Sequence, residues 1–174
     1  LADICEKVGA DVEDVIKALK SEPRVGQKAF LFAGMGFSGG TLGRDLKALL
    51  KAAERARLDL PIIAGVYAKN RARSAIVRAR LTKQFGTLTG KTFAIFGVTY
   101  KPGTSTLRRS QPLEIESELR AAGATLRLTD PLVRSEEVAS RTPSPFFGDP
   151  YEAAHGADAV LILTEWREFR ELDL

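Results

Sequence analysis

The chain has 174 residues, of which 44% are hydrophobic and 28% are charged, and its 26 basic and 22 acidic side chains leave a formal net charge of +4. This composition is ordinary for a globular protein, and the charge is too small to indicate a nucleic-acid partner by itself. No run of eighteen or more apolar residues is present, so we predict neither a transmembrane helix nor a membrane partner.

The two ends and the cysteine content indicate the context of the chain. The first residues have the pattern of an amphipathic helix rather than of a signal peptide, and the only methionine is Met35. We therefore expect the chain to begin inside a helix of a longer protein. A single cysteine, Cys5, excludes an internal disulfide and is typical of a reducing, cytoplasmic setting.

The N-terminal half has a helical pattern throughout. Residues 1–8 end at Gly9, a typical C-cap, and Asp11 can cap a second helix that ends near Pro23. A loop follows, and residues 41–57 then repeat leucine at helical spacing. A further helix begins after Asp59. The sequence predicts that it is a single helix of about six turns over residues 62–85, with a basic, solvated face.

The pattern changes after residue 86. Residues 92–98 form a continuous apolar run, which predicts a strand buried on both faces. A helix from Pro112, a strand over 125–128, a short helix over 151–155 and a strand over 159–163 follow in turn. This alternation predicts a parallel sheet with helices on its faces. The predicted fold is therefore α plus α/β, with an all-helical domain over residues 1–85 and a small Rossmann-like domain over residues 88–174.

A glycine-rich loop precedes the leucine helix. Residues 34–45 contain five glycines, and the helix begins inside this stretch. Glycine lets a ligand approach the main chain, and the free N–H groups at a helix start favour anions. Arg44 could hold an anion, and Asp45 could cap the helix or act as a base. The residues alone leave open that this stretch is a simple connector.

A second candidate anion site follows the first predicted strand. Ligands of open α/β sheets bind at the carboxyl ends of the strands, and this end carries Lys101, Arg108 and Arg109 with several hydroxyl groups. The stretch lacks the Gly-Lys-Ser/Thr ending that places a P-loop lysine on the phosphates. We therefore exclude an ATPase, and we expect no metal site.

Short motifs occur along the chain in the order typical of one family. They are Ile4-Cys5-Glu6, Gly9-Ala10-Asp11-Val12, Arg24-Val25-Gly26, the glycine-rich loop ending in Arg44-Asp45, Tyr100-Lys101-Pro102, Arg108, Asp130-Pro131, Ala157-Asp158-Ala159-Val160 and Thr164-Glu165-Trp166. Over essentially its whole length, the chain resembles the central and C-terminal parts of the UDP-glucose/GDP-mannose dehydrogenase family. The resemblance implies a helical dimerisation domain, a domain that holds a UDP- or GDP-linked sugar, and a homodimer. The family's N-terminal domain, which binds most of the NAD cofactor, is absent from the sequence.

The family's chemistry gives the glycine-rich loop a role. These enzymes oxidise the sugar C6 alcohol to a carboxylate by two hydride transfers to NAD, and a loop cysteine carries the acyl group as a thioester. Here Thr41 stands where that cysteine is expected, Arg44 replaces a lysine, and Asp45 is unchanged. Cys5 matches a structural position and is not a substitute. We therefore hypothesise that the protein binds a nucleotide sugar but cannot complete the four-electron oxidation through a thioester.

The resemblance also assigns binding residues. Those that it places near the nucleotide sugar are Arg24, Phe30, Leu31, Phe37, Gly39, Tyr100, Lys101 and Arg108. Among them, Arg24 corresponds to an arginine that reaches the substrate of a neighbouring subunit. Acidic residues of the family are replaced by Ser105, Thr106 and Arg109, which makes the expected pocket more positive and suits a diphosphate.

Three functions remain open at this stage. The first is the central and C-terminal portion of an NAD-dependent nucleotide-sugar 6-dehydrogenase with an altered catalytic position, inactive as this fragment alone. The second is a non-catalytic module that binds a nucleotide sugar or forms a dimer. The third is a structural remnant with neither activity. Calorimetry with UDP, GDP and their sugars distinguishes a binding protein from a remnant.

Overall fold

The helices and strands follow the predicted order along most of the chain. The computed structural model describes residues 1–173, and within them the chain forms eight α-helices, three strands and one 3-10 helix. Contacts divide the chain into two units, Leu1–Gly36 and Phe37–Leu174. The predicted domain boundary between residues 85 and 88 stays a prediction.

The first unit contains helices α1, Ala2–Val8, and α2, Val12–Ser21. Helix α1 ends at Gly9, whose φ of 72° is left-handed, and Asp11 caps α2 by accepting the Glu13 N–H at 2.8 Å. Both caps were predicted from the sequence and are confirmed. Cys5 and Ile16 are the buried residues of the two helices.

The second unit begins with three helices, and here one prediction is wrong. After α3, Leu42–Ala56, the structure has two helices, α4, Pro61–Arg71, and α5, Ser74–Phe85, in place of the predicted single helix over 62–85. At the break the N–H groups of Arg73 and Ile76 donate to carbonyls only three residues earlier.

Side chains on both sides of the break bind other parts of the same unit. The Asn70 amide binds the backbone of Phe37, and the Ser74 hydroxyl donates to the Glu118 carboxylate at 2.6 Å. These tertiary bonds anchor the end of α4 and the start of α5 to different parts of the unit. A prediction that relies on glycine and proline as helix breakers cannot detect such bonds.

The rest of the second unit is the predicted parallel α/β arrangement. Its elements are β1, Thr92–Phe96; α6, Gln111–Ala121; β2, Thr125–Thr129; α7, Ser135–Ala139; α8, Pro150–Ala154; β3, Ala159–Ile162; and a 3-10 helix, Arg167–Arg170. The sheet order is β2-β1-β3, and both pairings are parallel. The predicted fold class is confirmed, although α7 and the 3-10 helix lie in stretches for which no helix was predicted.

The core of this unit surrounds the central strand. Residues 93–96 of β1 are fully buried, as the continuous apolar run predicts. One side of the sheet packs aromatic rings, and Phe96 lies 5.2 Å from Phe169 between ring centroids, in a cluster that includes Trp166. Leu119 of α6 is also fully buried. Within residues 1–173, no helix has the length and apolar character needed to cross a bilayer.

An ion pair joins the start of β1 to the turn before β3. Asp158 accepts from the Lys91 ammonium at 2.7 Å and from the Thr92 N–H at 2.8 Å. The hydrogen bond from Lys91, followed by that from the Thr92 N–H, holds the Asp158 pKa below its ordinary value of 3.8. A carboxylate with a lowered pKa in the folded state stabilises the fold above its unfolded-state pKa, and this contribution is lost as the pH falls through the folded-state pKa.

We therefore expect Asp158→Asn to lower the free energy of unfolding at pH 7 and to have little effect in strong acid. Urea unfolding of both proteins at pH 7 and at a pH well below the ordinary aspartate pKa measures the difference. Asp59→Asn is the matched control, because Asp59 forms no ion pair or side-chain hydrogen bond within residues 1–173. An equal loss at both pH values for Asp158→Asn would contradict the assignment.

Candidate functional site

The two loops predicted as anion sites are bonded to each other. The Ser38 hydroxyl donates to the Tyr100 carbonyl at 2.9 Å, and the Gly39 N–H donates to the Arg109 carbonyl at 3.0 Å. The Arg109 guanidinium donates to the Gly40 carbonyl at 2.9 Å. The glycine-rich loop and the loop between β1 and α6, residues 97–110, therefore form one surface.

The contact between the loops is close because Gly39 has no side chain. Gly39 is buried with a φ of 86°, and a Cβ placed there would lie 2.7 Å from a ring carbon of Tyr100. The Tyr100 ring thus lies directly against the loop backbone. On the next residue, a Cβ at Gly40 would lie 3.7 Å from the Cδ of Arg108. The structure brings together three predicted substrate residues, Gly39, Tyr100 and Arg108.

Helix α4 holds the N-terminal end of the glycine-rich loop. The Asn70 side chain accepts from the Phe37 N–H at 2.8 Å and donates to the Phe37 carbonyl at 2.9 Å. Both halves of the amide are used on one residue, so the backbone of Phe37 is fixed in position and direction. Asn70 was not predicted from the sequence to lie at the site. The signal available was that it is the only asparagine of the chain and lies within a predicted helix.

Lys101 and Arg108 are free to bind an anion. Both side chains are exposed, and neither forms an ion pair with an acid among residues 1–173. The Lys101 ammonium lies 5.7 Å from the centroid of the Tyr100 ring. Two unneutralised cations beside backbone donors are suited to a phosphate or a diphosphate.

Thr41, Arg44 and Asp45 lie at the start of α3. Thr41 is exposed at the N-cap, where its side chain makes no capping hydrogen bond, and its carbonyl accepts from the Asp45 N–H. The Arg44 guanidinium and the Asp45 carboxylate pair with each other at 3.0 Å. Asp45 therefore has a cation beside it, and its predicted role as a cap or base stays a prediction.

A cavity of about 200 Å³ lies beside the glycine-rich loop. Two of its lining residues, Phe37 and Gly39, are predicted to bind substrate. Its lining includes three cations, which come from α3, α4 and the β1–α6 loop, and one acid, Glu114. These cations are Lys47, Arg71 and Arg109. The cavity adds to the positive character of this side of the loop.

Three predicted residues belong to the first unit, and their roles stay predictions. The Arg24 guanidinium bonds to Glu22 at 2.8 Å, which raises the pKa of Arg24 and lowers that of Glu22. Phe30 is 93% exposed, and its ring meets that of Phe32 edge-on. Leu31 is half-buried.

A buried carboxylate fixes the end of β1, where the β1–α6 loop begins. One oxygen of Asp130 accepts from the N–H groups of Val98 and Thr99, from the Thr99 hydroxyl and from the Trp166 indole; the other accepts from the Leu132 N–H. The motifs Asp130-Pro131 and Thr164-Glu165-Trp166 therefore meet at this point. Neither motif alone predicts that the two touch.

The same contacts show that this sheet does not fit a dinucleotide at β1. In a dinucleotide-binding fold, backbone N–H groups after the first strand bind the pyrophosphate. Here the N–H groups of Val98 and Thr99 already donate to Asp130. The sequence after β1 also lacks the Gly-x-Gly-x-x-Gly pattern. Residues 37–173 therefore offer no NAD site at this strand end.

Family models match both parts of the chain. The central domain of the UDP-glucose/GDP-mannose dehydrogenase family matches residues 1–72, and the UDP binding domain of the same family matches residues 94–174. The chain belongs to the UDP-glucose/GDP-mannose dehydrogenase family.

Individual relatives agree with this assignment. The chain is 34% identical over 181 residues to UDP-glucose 6-dehydrogenase of Pseudomonas aeruginosa and 37% identical over 174 residues to that of Rhizobium meliloti. Each alignment covers 99% of this chain, and the chain spans 40% of the length of each relative. A UDP-glucose dehydrogenase structure from Pyrobaculum islandicum superposes with a TM-score of 0.89 at 26% identity, over 96% of this chain and 39% of that one.

Proposed function

We propose that this chain is the central and C-terminal portion of an NAD-dependent nucleotide-sugar 6-dehydrogenase whose catalytic cysteine position is occupied by Thr41. The observation that carries the proposal is the bonding of the glycine-rich loop to the β1–α6 loop through Ser38, Gly39 and Arg109. It joins the loop that carries the family's chemistry to the loop that carries its nucleotide-sugar contacts.

The residues of this surface have complementary roles in binding. Lys101 and Arg108 supply positive charge to the diphosphate, and the Tyr100 ring packs beside them. The backbone around Gly39 and Gly40 approaches the sugar without side chains in the way. The start of α3 adds N–H groups that precede its first helical hydrogen bond. NAD binds to a domain outside this chain, because the sheet here does not fit a dinucleotide.

Thr41 limits the chemistry. A threonine hydroxyl becomes a nucleophile only with a strong base beside it, and no hydrogen bond joins the Thr41 side chain to such a group within residues 1–173. The nearest carboxylate in sequence, Asp45, is paired with Arg44. A thioester is chemically impossible at a hydroxyl. The protein therefore retains the nucleotide-sugar site and lacks the thioester route to the acid.

Apolar side chains on α3, on α4 and between them support a homodimer. Five of them are between 46% and 80% exposed, which is unusual for large apolar residues grouped on neighbouring elements. They are Leu42, Leu49, Leu58, Ile62 and Val66.

A non-catalytic nucleotide-sugar-binding or dimerisation module is the second candidate. The exposed, unbonded Thr41 and the Arg44–Asp45 pair favour it, because neither arrangement activates a nucleophile. The two candidates share the binding surface and differ only in turnover. Binding and turnover therefore need separate measurements.

The binding surface is tested by calorimetric titration of the full-length protein with UDP-glucose and with GDP-mannose. We expect one of them to bind, and Lys101→Ala and Arg108→Ala to weaken it by about 10- to 100-fold each, since a hydrogen bond to a charged group contributes about 1.5–3 kcal/mol. Lys83→Ala is the control, because Lys83 is exposed on α5 and forms no ion pair among residues 1–173.

Wild-type protein that binds neither ligand would refute the proposal. Equal affinities for wild type and for both loop variants would show that the nucleotide sugar lies elsewhere.

A further inference from the structure

Arg109 has an unusual backbone. Its φ is 50°, in the left-handed region that residues with a Cβ rarely adopt. The other non-glycine residue with positive φ among residues 1–173 is Arg57, which ends α3 as an ordinary left-handed C-cap. Arg109 ends no helix. Such a conformation persists only where surrounding contacts enforce it.

Contacts to the glycine-rich loop enforce it on two sides. The Arg109 carbonyl accepts from the Gly39 N–H at 3.0 Å, and its guanidinium donates to the Gly40 carbonyl at 2.9 Å. The following residue is fixed as well, because the Ser110 hydroxyl donates to the Val98 carbonyl. Arg109 thus binds two consecutive residues that lie about 70 positions earlier in the chain.

The second bond acts on the peptide group that joins Gly40 to Thr41. This peptide is trans, so its carbonyl and its N–H point in opposite directions. Holding the Gly40 carbonyl therefore also fixes the direction of the Thr41 N–H. Gly40 has no side chain to restrict its own dihedral angles, so without the guanidinium this peptide could rotate.

We infer that Arg109 is a positioning residue, which orders the Gly40–Thr41 peptide before the nucleotide sugar binds. The inference rests on the proposed function, because the ordered peptide begins the helix at which the sugar is proposed to bind. A loop that is ordered in advance loses less conformational entropy on binding. Loss of the guanidinium should therefore weaken nucleotide-sugar binding without unfolding the protein.

Arg109→Gly distinguishes the contribution of the guanidinium from that of the Arg109 backbone. Glycine keeps the left-handed conformation and the carbonyl that accepts from Gly39, and it removes only the bond to Gly40. In the full-length protein we expect an unchanged or higher melting temperature and amide exchange over residues 39–43 that is about tenfold faster or more. The affinity for UDP-glucose should be about tenfold lower. Arg109→Lys, which keeps a donor, should recover part of both losses.

Arg57→Gly is the matched control, because it removes the other left-handed arginine and leaves the loop untouched. It should give wild-type exchange over residues 39–43 and wild-type affinity. Wild-type loop exchange in Arg109→Gly would overturn the inference, as would a drop in melting temperature that Arg109→Lys does not recover. Exchange is measured without ligand, so the test of Arg109 does not depend on nucleotide-sugar binding. Failure of wild-type protein to bind UDP-glucose would refute the proposed function, and the exchange rates would still decide the role of Arg109.

Discussion

Replacing Thr41 with cysteine is expected to raise sugar-acid formation by the full-length protein by about 10²-fold or more. A cysteine thiol ionises near pH 8.5 and its thiolate is strongly nucleophilic, whereas a threonine hydroxyl needs an activating base. Thr41 is exposed at the start of α3, so the residue can change without repacking the core. Chromatography of the products formed from UDP-glucose, UDP-sugar analogues and GDP-mannose with NAD measures the effect.

Thr41→Ser is the control for this substitution, because it alters the same position and keeps a hydroxyl. It should remain at the wild-type rate. Robust sugar-acid formation by wild-type protein would contradict the account of Thr41. A Thr41→Cys variant that binds nucleotide sugar and still produces no acid would favour the non-catalytic binding module.

Removal of the Asp130 carboxylate should cost about 3–5 kcal/mol of the free energy of unfolding. Asp130 is 5% exposed and accepts five hydrogen bonds, and its donors include buried groups on Val98, Thr99 and Trp166. Asp130→Ala leaves these donors without an acceptor, and each buried unsatisfied donor costs about 1–3 kcal/mol. Urea unfolding followed by tryptophan fluorescence measures the loss, because Trp166 is the only tryptophan of this chain.

In the same experiment, Asp130→Asn removes the negative charge of the side chain and keeps its shape. It keeps one acceptor oxygen and places an amide N–H₂ near N–H donors, so we expect an intermediate loss. Because Val98 and Thr99 lead directly into Tyr100 and Lys101, both variants should also weaken nucleotide-sugar binding. An Asp130→Ala variant within about 0.5 kcal/mol of wild type would contradict this role, since that is the ordinary range of surface substitutions.

Local patterns predicted most of the fold. The Gly9 and Asp11 caps, the fully apolar strand β1 and the alternation of strands with helices each follow from neighbouring residues, and the structure contains all of them. The break between α4 and α5 could not be predicted in this way. At this break Asn70 and Ser74 bond to partners 33 and 44 positions away, which no local pattern indicates.

The candidate site was predicted as two separate loops. Glycine content indicated one loop, and Lys101 with Arg108 indicated the other, but no sequence pattern placed Gly39 against Tyr100. That contact requires the fold of the second unit to bring residues 38–40 to residues 100–109. The role of Thr41 was predicted on a different basis. It came from the resemblance to a family that has cysteine there, since a threonine before a helix is otherwise an ordinary residue.

A crystal structure of the full-length protein with UDP-glucose tests the central claim most directly. The account predicts that the diphosphate lies beside Lys101 and Arg108, and that the Thr41 hydroxyl lies within about 3.5 Å of the sugar C6, the distance of reacting atoms in a productive complex. A sugar bound away from the glycine-rich loop, or a Thr41 side chain pointing away from the cleft that holds it, would contradict the account.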